Sequence, residues 1–270
     1  MKNHRSTRRE FLRTVAASTT AASISIPSFA LGTADGNDPA VGPGPLTDPA
    51  RLARPSKAQY AFHELERIMF IHFHPGTWYG SEYDNGQTDL KIINPTKLDT
   101  DQWCEVARSW GAKQILYVAK HCGGFCWWQT DTTEYSIKNT PYKGGKGDVM
   151  RELTESCRKF GLKFGVYVYP GDPAWGAGIG TGGITADPKK QEGYNKVLRQ
   201  QLTEVWSQYG QINEAWFDGS CKVPIDDLVE KYLPDAVILQ SPQATLRWVG
   251  NEAGLAPYPA WNSLQSSDLK

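Results

Sequence analysis

The stretch NEAWFDGSC, residues 213–221, places a carboxylate at the end of an apolar and aromatic run. Asp218 directly follows Trp216 and Phe217 and precedes Gly219. A bare carboxylate is costly to bury. It should therefore either cap a strand-to-loop turn or belong to a site that uses its charge. The Trp-Phe pair before it indicates burial and favours the second interpretation.

Polar side chains stand at the ends of other apolar runs as well. His72, His121 and Asp172 each follow such a run, as Asp218 does. Neutral imidazole can both donate and accept hydrogen bonds, which suits the recognition of hydroxyl groups. A lone histidine is more often a satisfied polar group, but two at successive run ends favour a common site.

The cysteines and histidines do not predict a metal or a cofactor. His121, Cys122 and Cys126 lie close in sequence, but zinc usually takes a second ligand pair elsewhere, and the sequence offers none. His72-x-His74 after a first strand also occurs in metal-dependent amidohydrolases, which need further ligands on later strands. The other histidines are His4, His63 and His121.

The elements that must position these residues alternate between two types. Five short apolar runs without alternation are typical of parallel strands covered on both faces. They are residues 67–73, 114–119, 163–169, 214–217 and 236–239. Three stretches with apolar residues three and four apart predict helices between them, at 101–110, 147–160 and 191–209. Acidic residues at 99 and 101 suit a helix start, and glycines at 161 and 210 suit helix ends.

This alternation predicts a parallel α/β fold. A doubly wound cofactor-binding sheet would carry G-x-G-x-x-G after its first strand, and this sequence does not. Polar residues at several strand ends instead favour a (β/α)8 TIM-type barrel, whose active site lies at that rim. A complete barrel takes about 250 residues. We therefore predict that residues 56–270 form a catalytic barrel domain that is incomplete at its C-terminus, with five clear strands and a possible sixth near Trp261.

The N-terminal region has the pattern of an export signal. Arg8-Arg9 precedes a mild apolar stretch and then Ser28-Phe29-Ala30, a small-x-small cleavage site. Residues 1–30 are predicted to be a twin-arginine signal peptide, and residues 31–55 a disordered linker. The mature protein is then periplasmic or extracellular and has no membrane anchor after signal removal. An odd number of cysteines, five, leaves at least one thiol unpaired.

The charge balance argues against nucleic acid as a partner. The chain has 29 Lys and Arg residues and 29 Asp and Glu residues, for a formal net charge of zero, whereas nucleic-acid-binding proteins normally carry a basic excess. The 10 Trp and 12 Tyr residues could stack on sugar rings. By composition alone, an aromatic-rich core is the favoured explanation.

Several motifs together resemble one enzyme family. FIHFHPGTWYGSEYDNG, INPTKLDTDQW, AKHCGGFCWW, EAWFDG and RWVGNEAGL occur in this order. Residues 68–261 are thereby similar to the α-L-fucosidases of glycoside hydrolase family 29. The resemblance implies a TIM-type barrel. It also implies an exo-acting, retaining hydrolase, without a cofactor, that removes terminal α-L-fucosyl residues from oligosaccharides or glycoconjugates.

The resemblance also implies roles for two carboxylates. Asp218 matches the nucleophile, and Glu252 in the R-W-x-G-N-E segment matches the general acid/base of the subgroup that prefers α-1,3/1,4-linked fucosides. An apolar wall from Trp248 would raise the pKa of Glu252, whereas Arg247 would hold it ionised. A surface-loop glutamate is the alternative interpretation for Glu252.

Further residues match positions that hold the sugar. His72 and His121 match histidines that hydrogen-bond the fucose hydroxyls. Trp216, two residues before Asp218, should point to the same side of its strand and offer an apolar floor. Three more residues match positions that line the same pocket, namely Glu82, Trp128 and Tyr167.

One segment departs from the family pattern. The second strand of the family usually ends in two histidines followed by aspartate and glycine, whereas this chain has His121-Cys122-Gly123-Gly124. One sugar contact and its supporting carboxylate are expected to be missing. The alternative function is therefore a barrel that binds sugar without cutting it, or one with an altered ligand such as a galactose-like sugar or a sulfated fucoside.

Overall fold

The computed structural model describes residues 54–251, 253–256 and 262–263. The predicted signal peptide and nearly all of the predicted linker lie outside the described residues, as do Glu252 and Trp261. Within the described part, no helix is long and apolar enough to cross a membrane.

Five parallel strands form one sheet in chain order. The strands are β1 (Ile68–Ile71), β2 (Gln114–Lys120), β3 (Lys163–Val168), β4 (Glu214–Trp216) and β5 (Val237–Leu239). Each strand pairs in parallel with the next one. The α/β class and the parallel sheet are confirmed. The described residues hold five strands in the order expected of a barrel, and they do not close into a complete one.

In the part of the chain that the structure describes, five α-helices accompany the sheet. They are α1 (Lys57–His63), α2 (Thr100–Ser109), α3 (Val149–Phe160), α4 (Pro188–Gln208) and α5 (Asp226–Tyr232). Short 3₁₀ segments occupy Pro75–Trp78, Leu90–Ile92, Ile137–Asn139, Tyr142–Gly145 and Pro173–Trp175.

The periodic patterns predicted α2, α3, α4 and all five strands, with bounds that agree with the structure to within a few residues. Asp99 caps α2 by accepting a hydrogen bond from the Gln102 backbone N–H, as its position predicted. The sequence analysis missed α1 and α5, which have seven residues each and are too short for a clear period. Ser56 and Gln59 fix α1 instead through a reciprocal capping box.

The sheet buries residues on both faces. On the helix side, alternate β2 residues such as Tyr117 and Ala119 pack in the main hydrophobic core with Leu198 and Leu202 of α4. On the inner face, Leu116, Val118, Tyr167 and Tyr169 form a smaller cluster with Cys122. The inner face therefore combines aliphatic side chains of β2 with aromatic side chains at the end of β3.

A β-bulge at the end of β2 changes which side chains reach the inner face. The pairing of β2 with β3 shifts register between Val118 and Lys120. Strict alternation would turn Lys120 inward with Leu116 and Val118, but its ammonium group instead meets Gln201 of α4, with Nζ to Oε1 at 3.0 Å. Because the bulge moves Lys120 to the helix side, the next residue, His121, turns to the inner face.

The Lys120 side chain is fully buried and has three partners, which lie on α4 and in the β3–α4 loop. Besides Gln201, its Nζ lies 3.4 Å from Asp172 Oδ2 and donates to the Tyr194 hydroxyl at 3.4 Å. Burial opposes the charge, but Tyr194 and Asp172 outweigh it and raise the pKa of Lys120 above its usual range. Lys120 therefore remains a buried cation that joins β2, the β3–α4 loop and α4.

The five cysteines are all buried and all free, and each lies in the described part of the chain. Cys104 on α2 and Cys157 on α3 have Sγ atoms 4.0 Å apart, about twice the length of a disulfide bond. The prediction of at least one unpaired thiol is confirmed.

We expect Lys120→Met to lower the free energy of unfolding by about 3–5 kcal/mol, because Asp172 would stay buried without its cation. Urea denaturation followed by tryptophan fluorescence measures this loss. Lys196→Met is the matched control, since Lys196 pairs with Glu192 on the exposed face of α4, and it should cause no measurable change. A loss for Lys120→Met no larger than that of the control would contradict the account of the buried cation.

Candidate active site

Asp218 stands two residues beyond the end of β4. Its Oδ2 accepts a hydrogen bond from the Tyr167 hydroxyl of β3 at 2.8 Å. The carboxylate is only partly buried, and Gly219 behind it has a positive φ of 72°, which turns the chain away from the strand. Burial and the Asp218 charge raise the pKa of Tyr167. Tyr167 therefore stays a hydrogen-bond donor to this carboxylate.

Trp216 lies on the same face as Asp218. Its ring centroid is 5.6 Å from that of Tyr167 and 5.2 Å from that of Phe70 on β1. Trp248 packs edge-on against Trp216 at 5.2 Å. Phe70 and Trp248 remain 46% and 42% exposed, so an open aromatic surface borders Asp218.

His72 and His121 meet beside this surface. Their ring centroids are 4.4 Å apart, with His72 exposed and His121 buried. Partial burial lowers the pKa of His72, while the charges of Asp218 and Glu82 oppose that shift. Both carboxylates therefore lie close enough to act on His72. The structure thus brings together His72, His121, Trp216, Tyr167, Glu82 and Asp218.

The buried imidazoles are held neutral. Burial, together with the nearby His72 and His74, lowers the pKa of His121 to about 3. Burial and His72 also lower the pKa of His74, against the influence of Asp84. Neutral rings can both donate and accept hydrogen bonds at neutral pH, which protonated rings cannot.

His74 is a third imidazole at this site, and the sequence analysis did not include it among the site residues. Its ring centroid lies 4.7 Å from that of His72 and 4.9 Å from that of His121. One nitrogen from each of the three rings lies within 4.8 Å of the others, so the group could hold a metal ion. The sequence analysis argued against a metal because it found too few ligands. The structure brings three histidines together, which weakens that argument. The available signal was the alternate spacing of His72 and His74 at the end of β1.

A carboxylate occupies the place that was expected to lack one. A Cβ atom added to Gly123 would lie 2.1 Å from Asp84 Oδ2. The missing side chain of Gly123 therefore leaves the room that the Asp84 carboxylate fills from the β1–α2 connection. Asp84 thus brings a carboxylate to the end of β2 from another loop, which the sequence analysis did not predict.

Asp84 is firmly held in this position. It is buried, and the Tyr135 hydroxyl donates to both of its oxygens, at 3.0 Å to Oδ1 and 2.9 Å to Oδ2. The Gly86 backbone N–H donates to Oδ1 at 3.1 Å. The Cys122 thiol donates to the Asp84 carbonyl at 3.7 Å. The two loops at this end of the sheet are therefore joined through Asp84.

Trp128 does not join the other predicted site residues, which corrects the sequence-based prediction. It is fully buried in the helix-side core, and its Nε1 donates to Glu204 Oε2 on α4 at 2.8 Å. The chain turns back after Gly124, and the Trp127 N–H donates to the Ala119 carbonyl. This return packs the following residues against the helices and away from the inner face.

Glu252, the predicted acid/base, lies outside the described residues. Its neighbour Trp248 is described and stands on the aromatic surface next to Trp216. Asp172 is also turned away from the site, because its carboxylate faces Lys120 on the helix side.

Comparisons with known proteins point to one family. A family model described as Alpha-L-fucosidase matches residues 57–254. The chain is 32% identical over 229 residues to Alpha-L-fucosidase 1 of Arabidopsis thaliana, with 81% of this chain and 43% of that protein covered. It is 32% identical over 230 residues to Putative alpha-L-fucosidase 1 of Oryza sativa subsp. japonica, covering 81% of this chain and 42% of that protein.

Solved structures give the same result. A putative alpha-L-fucosidase from Bacteroides thetaiotaomicron VPI-5482 superposes with a TM-score of 0.70 at 30% identity, covering 78% of this chain and 52% of that one. A glycoside hydrolase 29 family member from an unknown rumen bacterium superposes with a TM-score of 0.66 at 33% identity, covering 80% and 42%. The chain spans less than half the length of the two plant relatives. Because the family model and these relatives cover most of its sequence, the chain belongs to the alpha-L-fucosidase family, glycoside hydrolase family 29.

Proposed function

We propose that this protein is an exo-acting, retaining α-L-fucosidase that removes terminal α-L-fucosyl residues from oligosaccharides or glycoconjugates without a cofactor. The observation that supports this proposal is the placement of Asp218. Its carboxylate accepts a hydrogen bond from Tyr167 and borders an aromatic surface and a cluster of neutral histidines, in a chain of the alpha-L-fucosidase family.

Asp218 acts as the nucleophile in this proposal. One carboxylate oxygen bonds to the anomeric carbon of the fucose as the bond from that carbon to the leaving oxygen breaks. The Tyr167 hydroxyl donates to the carboxylate and so orients it. The carboxylate is partly open to solvent, which leaves it accessible to the sugar.

Glu252 acts as the general acid/base. It donates a proton to the leaving oxygen and then removes one from the water that releases Asp218. The mechanism requires the carboxyl groups of Asp218 and Glu252 to stand about 5 to 5.5 Å apart. We further propose that the protein prefers branched α-1,3/1,4-linked fucosides, that residues 1–30 direct its export by the twin-arginine route, and that it acts in the periplasm or outside the cell.

The remaining site residues recognise the sugar. His72 and His121 bind the hydroxyls, and Trp216 offers an apolar face to the ring and its methyl group. Glu82 stands near His72, where it orients that imidazole or contacts a hydroxyl itself.

We expect Asp218→Asn to lower kcat/KM for an aryl α-L-fucoside by at least about 10³-fold, because the amide cannot form the covalent intermediate. The matched control is Asp235→Asn, an exposed aspartate just before β5, which should keep the wild-type rate.

A second variant tests the same role of Asp218. Asp218→Gly with added azide should yield the β-fucosyl azide, since azide enters from the face that the carboxylate occupied. Full activity of Asp218→Asn would overturn the assignment. Sugar binding by the wild type without turnover would support the non-catalytic alternative.

The stereochemical outcome is a separate expectation. In a proton NMR time course the first fucose released should be the α-anomer, because two displacements at the anomeric carbon restore its configuration. Initial release of the β-anomer would show inversion and would exclude the covalent role of Asp218.

Tyr167→Phe should lower kcat/KM by about 10- to 100-fold, since a hydrogen bond to a charged group contributes about 1.5–3 kcal/mol. Tyr169→Phe provides the matched control. Tyr169 lies on the same inner face, but its hydroxyl accepts from the Gly180 N–H. Steady-state kinetics on both variants should show the loss for Tyr167 alone, and equal losses would argue against a specific role of the bond to Asp218.

The lowered pKa of His121 predicts a pH effect on stability. The unfolded chain takes up this proton near the ordinary value of 6.5 and the folded protein only near 3. The stability contributed by the neutral ring is therefore present above pH 6.5 and lost as the pH falls towards 3. Between pH 7 and pH 5 we expect the wild type to lose on the order of 1–2 kcal/mol more than His121→Asn, measured by urea unfolding. Equal losses in the two proteins would contradict the pKa shift.

A further inference from the structure

His74 differs from its two histidine neighbours in how its ring is held. Its Nδ1 accepts a hydrogen bond from the Gly76 backbone N–H at 3.3 Å, at the start of the 3₁₀ segment Pro75–Trp78. The contact is close, because a Cβ on Gly76 would lie 2.5 Å from the His74 ring and 2.3 Å from the Ser81 carbonyl oxygen. A side chain at position 76 would therefore displace the ring, and this part of the loop fixes its orientation.

This hydrogen bond determines the tautomer of His74. A neutral imidazole carries one N–H, so the nitrogen that accepts cannot also carry the hydrogen. Because Nδ1 accepts from Gly76, the hydrogen must be on Nε2. His74 therefore presents a donor on the nitrogen opposite Gly76.

A donor nitrogen is unsuited to a metal ion but suited to an oxygen atom. Metal ions bind the lone pair of a neutral imidazole nitrogen, and the ring then usually donates from its other nitrogen. His74 has the reverse arrangement. An alcohol oxygen near the three rings would instead accept the Nε2 hydrogen, and the His72 and His121 rings lie less than 5 Å away, centre to centre, to meet the same ligand.

We propose that His74 is a third sugar-binding histidine, which donates a hydrogen bond from Nε2 to a ring hydroxyl of the bound fucoside and so contributes to substrate specificity. This proposal rests on the proposed fucosidase function. The Asp84 carboxylate, whose charge acts on His74, disfavours an anionic group such as a sulfate at this position, because like charges repel. An uncharged hydroxyl is the chemical group that fits.

Two variants separate the two nitrogens of His74. Asn at position 74 places an amide near the position of Nδ1 and can still accept from the Gly76 N–H, but it has no group at Nε2. Gln reaches the position of Nε2 and can donate there. We expect His74→Asn to lower kcat/KM for an aryl α-L-fucoside by about 10- to 100-fold, and His74→Gln to recover part of that loss. His63→Ala is the control, since His63 lies on α1 and contacts Ser263.

The decisive measurement uses the 2-, 3- and 4-deoxy aryl fucosides. If His74 donates to one hydroxyl, the wild type and His74→Asn should differ little on the deoxy substrate that lacks this hydroxyl, and differ fully on the others. A uniform loss on all substrates would show that His74 acts only through the local fold. No loss on any substrate would exclude a contact. Either result overturns the proposal for His74 while wild-type turnover leaves the fucosidase function intact.

A wild type that neither hydrolyses aryl fucosides nor binds fucose in calorimetry would instead overturn the fucosidase function itself. A test that does not depend on turnover is the long-range proton–nitrogen NMR spectrum of the histidines. It should show His74 as the Nε2–H tautomer. An Nδ1–H tautomer, or stoichiometric zinc binding that is lost in His74→Asn, would overturn the assignment of a donor.

Discussion

The buried charge of Lys120 determines how the end of β2 is built. An ammonium group on the inner face would lie among Leu116, Val118 and aromatic rings. On the helix side it finds Asp172, Tyr194 and Gln201. Since an unpaired buried charge costs several kcal/mol, the strand adopts a bulge that turns Lys120 towards these partners. The same bulge turns His121 inward, beside His72. A charge on one face of the sheet therefore positions a site residue on the other.

Two carboxylates near β4 show why the end of a strand is the place for a reactive acid. Glu214, at the start of β4, is buried and has Gln114 Nε2 at 2.6 Å. Burial raises the pKa of Glu214 to about 7, against the opposing effect of this hydrogen bond. Asp218 stands four residues further on, is partly open to solvent and accepts from Tyr167. The buried end of the inner face therefore favours a protonated acid, whereas the open end leaves a carboxylate where a ligand can reach it.

Periodicity and strand-end position predicted most of the fold and part of the site. The apolar runs located all five strands, because the residues of both faces are mostly apolar, and β2 and β3 are buried almost throughout. Placing site residues at the carboxyl ends of parallel strands brought His72, His121 and Asp218 together without reference to coordinates. The contribution of Tyr167 to Asp218 follows from the β3–β4 pairing, in which Tyr167 and Trp216 are partners. Periodicity does not specify that pairing.

The errors share one cause, which is that loop conformation depends on contacts distant in sequence. The family resemblance implies that Trp128 lines the pocket, but the chain turns back and buries it against α4. Asp84 was overlooked because nothing near it in sequence links it to Gly123, 39 residues later. Since the β1–α2 connection supplies both His74 and the Asp84 carboxylate to the end of β2, the specificity of this site depends on how two loops pack together. Under the proposed function, the strand ends fix where the fucosyl carbon would meet Asp218, whereas the packing of these loops would determine which hydroxyls are recognised.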